Sequence, residues 1–190
     1  ITFEDFQRLD RLAQGLNTAS PTYSLGNLKL TGQVVNGKAE IDADLKIKII
    51  AKNDAWQRIP LRFNSAALRE PPQHEGKGDL FIEYEPDGEG YICWLKAAEN
   101  SEHTLRCRFL APVQELGAEL RIALAAPRAT SGLLSLRVAE SQAKAVVIRR
   151  SEELTLKDVF ADGSGSRLEM PNPAGDFQIA WRAGTSMAPQ

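Results

Sequence analysis

The stretch "YICWLKAAENSEHTLRCRF", residues 91–109, holds Cys93 and Cys107, the only two cysteines of the chain, and His103, one of its two histidines. Thiolates and imidazoles are structural zinc ligands, a thiolate beside an imidazole is a nucleophile–base pair, and two thiols can close a disulfide. Spacing chooses among these. With Asn100 at the centre of a chain reversal, Cys93 falls opposite Cys107 on an antiparallel pair of strands. Tyr91 and Leu95 then share the face of Cys93, and Leu105 and Phe109 share that of Cys107. His103 has the parity of Cys107 but stands four strand residues away, about 13 Å along the sheet. Zinc ligands must lie within about 2.3 Å of the ion. This register therefore leaves no metal site and no base within reach of a sulfur. Two readings stay open, a cross-strand disulfide Cys93–Cys107 or two buried thiols packed as small hydrophobes.

Other candidate groups are less specific. "FIEYEPDGEG" puts Glu83 and Glu85 on one strand face. Paired carboxylates serve glycosidases and calcium sites, but the spacing fits no calcium loop, and solvated strand faces commonly carry such residues. "DGSGS" at 162–166 has no helix after it, so it reads as a turn and not a phosphate cradle. His74 lies in a Pro/Gly-rich loop and no serine occupies a nucleophile elbow, so no catalytic triad assembles. The aromatic residues Trp56, Tyr84, Tyr91, Trp94 and Trp181 offer a sugar-binding platform. Parity places Trp94 on the face opposite Cys93, the side that also shows Arg106 and Arg108. Trp94, Arg106, Arg108 and Trp56 form the candidate ligand-binding group; the competing reading is arginine stems packed on a ring. No catalytic residue, metal ligand or cofactor motif is expected.

The elements that must position these groups are strands. In "LKLTGQVVNGKAEIDADLKIKII" the pair Asn36-Gly37 is a strong signal for a two-residue type I′ hairpin, whose central residues both need positive φ. Closing it pairs Val35 with Lys38. Leu28, Leu30 and Val34 then share a face with Ala39, Ile41, Ala43, Leu45, Ile47 and Ile49, while Lys29 opposes Asp44 and Gln33 opposes Glu40. Further strand-like runs follow: "WQRIPLRF", "LFIEYE", "YICWL", "TLRCRFL", "AELRIALAA", "LLSLRVA", "KAVVIRR", "ELTLKDVF", "SRLEM" and "DFQIAWRA". The N-terminus has a different period. Phe3, Phe6, Leu9, Leu12 and Leu16 make one helical stripe, with Thr2 as a cap and the Asn17–Pro21 run as a stop. The expected fold is mainly β, an antiparallel β-sandwich of roughly a dozen strands over residues 21–190. One amphipathic helix over residues 1–20 packs on it or serves as a connector.

Composition narrows the partners. A net charge of −2 over 190 residues gives no electrostatic footprint for nucleic acid. No apolar stretch approaches the roughly 20 residues of a membrane-spanning helix. The chain opens at Ile1 without an initiator methionine, as a mature secreted product or a piece of a longer protein would.

From "DAWQRIPLRFNSAALREPP" through "YICWL" and "TLRCRFLAPV" to "LRIALAAPRATSGLLSLRV", about half of the chain resembles a β-rich segment of large uncharacterised bacterial envelope proteins. The shared motifs are structural. The resemblance implies an extracytoplasmic (periplasmic, envelope or secreted) and non-catalytic module, and it carries no functional residue with it. The function expected is thus a structural or interaction module of a larger bacterial cell-envelope or secreted protein, its partners other domains or proteins of the envelope, or glycan. The alternatives are a carbohydrate-binding module and, after it, a β-sandwich enzyme acting on polysaccharide.

Overall fold

The computed structural model describes residues 21–52 and 54–184, so the helix expected over residues 1–20 lies outside the described residues. Strands take up 67% of the interpretable chain, and no helix occurs in it. The period-two alternation that opens the described chain becomes β1 (Tyr23–Val35) and β2 (Lys38–Ile49). They close at Asn36 and Gly37, with φ of 50° and 72°. Val35 pairs with Lys38, Gln33 with Glu40 and Lys29 with Asp44, as the turn and the pattern require.

Beyond the hairpin lie β3 (Gln57–Arg62), β4 (Ala67–Leu68), β5 (Gln73–Glu75), β6 (Asp79–Glu85), β7 (Gly90–Lys96), β8 (Glu102–Leu116) and β9 (Glu119–Ala126). The chain continues with β10 (Ser131–Val138), β11 (Lys144–Arg149), β12 (Glu152–Thr155), β13 (Val159–Asp162), β14 (Gly165–Pro171) and β15 (Gly175–Arg182). A large sheet runs β12-β11-β15-β9-β8-β2-β1-β10-β14-β13, with β4 and β5 also paired to β8. A second sheet has three strands in the order β3-β7-β6.

Pairing departs from the expected sandwich in three ways. Most of the strands belong to one sheet, which curls as a half-barrel, where a sandwich would divide them between two comparable layers. Secondly, β1 and β10 are parallel, with Asn27 beside Ser131 and Gln33 beside Arg137. β2 takes only one edge of β1; the other edge stays open for a strand that returns after the intervening strands. Thirdly, "ELTLKDVF" is two strands. Leu156 N donates to Ala145 O at the β11 end, whereas Asp158 O accepts from Glu169 N at the β14 end. β12 and β13 are opposite edges of the large sheet, yet Thr155 and Val159 are four Cα steps apart, at most about 14 Å. The two edge strands come this close at that one end, as the curl of the sheet into a trough requires.

The core lies between the inner face of that trough and the small sheet. Ile59, Leu61, Cys93 and Leu95 from the small sheet join Leu105, Cys107 and Phe109 of β8 in one apolar cluster. Phe109 stacks on Phe63 at 4.4 Å between ring centroids and meets Tyr91 at 5.3 Å. Among the described residues, no helix is long and apolar enough to cross a membrane.

Candidate functional site

The outward face of β2 and β8 alternates charge. The register sets Asp44 opposite Arg106 and Asp42 opposite Arg108. Arg106 Nε donates to Asp44 at 3.0 Å and its Nη1 to Glu75 of β5; Arg108 Nε donates to Asp42 at 2.7 Å and its Nη1 to Glu70 at 3.0 Å. The Glu75 hydrogen bond, then that of Asp44, holds the Arg106 guanidinium more firmly charged; Asp42 does the same for Arg108. In return Arg106 pulls the Glu75 carboxyl below the usual range. Both guanidiniums line a cavity of about 420 Å³, together with Lys29 and Pro71.

Trp94 is not part of this group. It belongs to the small sheet, so the face expected to join Trp94 with Arg106 and Arg108 is divided between two sheets. On its own outer face Trp94 stands opposite Phe81 of β6, the rings 6.2 Å apart and 17° from parallel. Trp56 closes on Phe81 at 5.2 Å, edge-on at 67°. Trp56 is 43% exposed and Phe81 48%. Trp94 Nε1 donates to Glu83 at 2.8 Å, and Arg58 bridges Glu85 at 2.7 Å and Glu89 at 2.8 Å. Trp56 and Trp94 stand out in the sequence, whereas Phe81 and Arg58 become their neighbours only through the cross-strand register of β6, β7 and β3. Trp181, another aromatic candidate, is buried, with Nε1 bonded to Glu140 at 2.8 Å.

The cysteine register also needs correction. Cys93 sits between Ile82 and Ile59 in the small sheet, and Cys107 opposes Ala43 in the large one. The two strands face each other across the core and do not pair. β7 is buried on both faces at Ile92 and Cys93, which suits the middle strand of a sheet, and β8 finds complementary charges in β2. Both thiols are free and buried. Burial pushes each up to about 12, with Cys107 adding to the effect on Cys93, so neither supplies a thiolate near neutral pH.

β5 brings together two residues that the sequence kept apart. His74 Nε2 lies 2.9 Å from His103 Nδ1, and His103 Nε2 lies 2.8 Å from Ser101 Oγ. The hydroxyl of Ser101 donates to Ala98 O at 2.5 Å. Its oxygen therefore accepts from His103, and the network assigns the tautomers: Nε2–H on His103, and Nε2–H on His74 donating to His103 Nδ1. His103 is 3% exposed. Burial holds both imidazoles below the ordinary histidine value, with the neighbouring His74 a second cause at His103. Gly76 passes so close, at φ of 130°, that an added Cβ would collide with His103 Nδ1.

The order serine–histidine–histidine looks like a nucleophile, its base and an orienting group. The hydrogen bonds run the wrong way for that chemistry, because the imidazole donates to the hydroxyl and the hydroxyl proton is committed to a carbonyl. Nor do the two ring nitrogens converge on a metal; they face one another across a shared proton. The spacing argument against zinc fell with the hairpin register, but among the described residues no three His, Cys, Asp or Glu side chains are grouped to hold an ion. A cavity of about 520 Å³ opens beside His103, lined also by Lys46, Lys48, Glu75 and Glu102.

No family model matches the chain, and no curated protein matches it. Solved structures do. Yeast LTA4 hydrolase in complex with bestatin aligns with a TM-score of 0.54 and 16% identity, covering 88% of this chain and 30% of that one. Native yeast LTA4 hydrolase aligns at 0.50 and 13%, covering 85% and 29%. A further native structure, leukotriene A4 hydrolase from Saccharomyces cerevisiae, aligns at 0.50 and 14%, covering 84% and 29%. At such identities the likeness is one of fold alone. This chain spans less than a third of each of these three chains.

Proposed function

We propose that this chain is a non-catalytic structural or interaction module of a larger protein, extracytoplasmic in a bacterial envelope or secreted. The observation that carries the proposal is the state of its reactive side chains. Arg106 and Arg108 are tied to carboxylates, Cys93 and Cys107 are buried as thiols, and His103 donates to the one serine it touches. The fold likeness supports it in a second way, since the matched solved chains hold a comparable fold in about 30% of their length. On this reading the trough and the small sheet form a rigid two-layer body, sandwich-like in its layering, that presents surfaces to neighbouring domains. Incubating the purified chain with chromogenic esters, peptide anilides and glycosides tests this. No turnover is expected; turnover abolished by His103→Gln or Glu83→Gln would overturn the proposal.

A second reading has its own observation. Phe81 and Trp94 lie nearly parallel and Trp56 stands edge-on against Phe81, with Glu83, Glu85 and Arg58 on the same sheet. Flat rings beside carboxylates suit the apolar face and hydroxyl rim of a sugar. A glycan array distinguishes the readings: specific binding lost in Trp94→Ala favours a carbohydrate-binding module, and an empty array favours the structural one.

A further inference from the structure

The outer face of β9 and β15 carries a shallow basin of about 360 Å³ that none of the preceding functions uses. Its floor is small, at Ala123 and Ala125. One wall is the segment after β3, which lies along β9: Phe63 N donates to Ala125 O and Ser65 Oγ to Ala123 O, both at 2.8 Å. The opposite wall is the β11–β12 turn, Arg150 and Ser151. Arg121 and Gln178 stand between them, joined at 3.1 Å, and Arg121 also holds Glu119 at 2.6 Å. Arg62 reaches the rim through Asp176 at 3.0 Å.

Three independent features single out this basin. Eight non-glycine residues of the described chain have positive φ; two of them, Arg150 (47°) and Ser151 (71°), line it, and two more, Arg62 (70°) and Phe63 (45°), lead directly into its Asn64–Ser65 wall. Arg149 pairs with Glu152, so Arg150 and Ser151 form a two-residue hairpin turn with left-handed φ at both positions. That turn favours Asn-Gly, the pair used at Asn36-Gly37, and Arg-Ser is strained in it. Strain kept at a local site against an available relaxed sequence points to a job for the side chains. The second feature is unmet hydrogen bonding. Among the described residues, the buried side-chain polar atoms without a partner are Arg62 Nε and Arg121 Nε; Arg121 lines the basin, and Arg62 is paired with the basin's Asp176. The third is charge. The lining holds two guanidiniums, Arg121 and Arg150, and one carboxylate, Asp176, and Arg150 pairs with no carboxylate among the described residues.

We infer that this basin binds a carboxylate group between Arg121 and Arg150, with Asn64, Ser65, Ser151 and Gln178 as neutral hydrogen-bonding neighbours. Guanidinium groups match a carboxylate's two oxygens. The single positive charge left over in the basin favours a monoanion over a phosphate dianion.

The test uses the whole chain, labelled for amide NMR, at constant ionic strength. Acetate and a blocked tripeptide whose only charge is a glutamate side chain are titrated in turn, with inorganic phosphate as the comparison. Saturable shifts confined to Asn64, Ser65, Arg121, Arg150, Ser151 and Gln178 are expected with both carboxylates. Tighter binding of the tripeptide identifies an acidic protein segment as the source, tighter acetate a free acid. The variant Arg150→Asn/Ser151→Gly installs the favoured turn while removing the guanidinium. It is expected to melt at a higher temperature and to bind at least tenfold more weakly, so loss of binding cannot be loss of fold. Absence of saturable shifts, tighter binding of phosphate, or unchanged affinity in the double variant would each overturn the inference.

Discussion

The β1–β2 hairpin and the β7–β8 corner both reverse the chain through an asparagine with positive φ, Asn36 at 50° and Asn100 at 62°. They do opposite things. The first reversal has two residues, so its geometry fixes every pair outward from Val35 and Lys38. The second runs from the end of β7 at Lys96 to the start of β8 at Glu102, long enough to carry the chain from one sheet to another. Asn100 N donates to Ile49 O and Ser101 N to Ala98 O, which ties the corner to the end of β2 and to itself. A short turn dictates register; a longer one leaves the choice to side chains. At β8 those side chains are Arg106 and Arg108, which meet Asp44 and Asp42 of β2. At β7 they are Ile92 and Cys93, buried on both faces.

The contrast can be broken most severely at the layer contact. Phe109→Ala removes the ring that meets both Phe63 and Tyr91 and should cost about 3–5 kcal/mol in urea unfolding. Because Cys93 and Cys107 are covered by the same contact, they should react with an alkylating agent before global unfolding in this variant. A change confined to the hairpin should behave differently. Gly37→Val forces a β-branched residue into φ of 72° and should cost about 1–2 kcal/mol, with both thiols still protected until the protein unfolds.

A third experiment uses pH on the corner alone. His74 and His103 are held below the ordinary histidine value in the folded chain, so the unfolded chain takes up protons first as pH falls. Stability contributed by the neutral pair is full above the unfolded value near 6.5, declines below it, and stops declining once the folded imidazoles are also charged. Protonating His103 Nδ1 places two N–H groups face to face with His74. The groups around this pair include Glu75, Glu102, Lys46 and Lys48 in the adjoining cavity. In His74→Gln/His103→Gln that decline should flatten, as urea unfolding at several pH values would show. Cys93→Ala should leave a folded protein, weaker by about 1 kcal/mol for its small cavity. Asn100→Gly is the mildest change and should stay within about 0.5 kcal/mol in the same assay, because the corner's register does not depend on its turn.

Legibility followed the range of the interactions. Alternation and Asn36-Gly37 are local, and they yielded β1, β2 and the positions of most later strands. The partner of β8 was not local: Asp42 and Asp44 lie more than sixty residues before Arg106 and Arg108, and their complementarity shows only once the strands are set side by side. The same holds for the parallel β1–β10 pair and for the split in "ELTLKDVF", where Leu156 and Asp158 bond to opposite ends of the sheet. Trp56 and Trp94 are both aromatic candidates in the sequence, but parity on a β7–β8 hairpin gives Trp94 the companions Arg106 and Arg108, whereas the register sets it beside Phe81. His74 and His103 were the largest omission. Nothing in a Pro/Gly-rich loop announces that a three-residue strand will pair with β8 and lay one imidazole on the other.

The proposed non-catalytic role is most exposed to test at the Ser101–His103–His74 chain. Treating the intact chain with a fluorophosphonate and mapping labelled peptides by mass spectrometry asks whether Ser101 is a nucleophile. With its hydroxyl donating to Ala98 O and His103 donating to its oxygen, Ser101 should remain unlabelled across the neutral range. Stoichiometric labelling of Ser101 that disappears in His103→Gln would show that the hydrogen bonds run in the other direction, and would contradict the account.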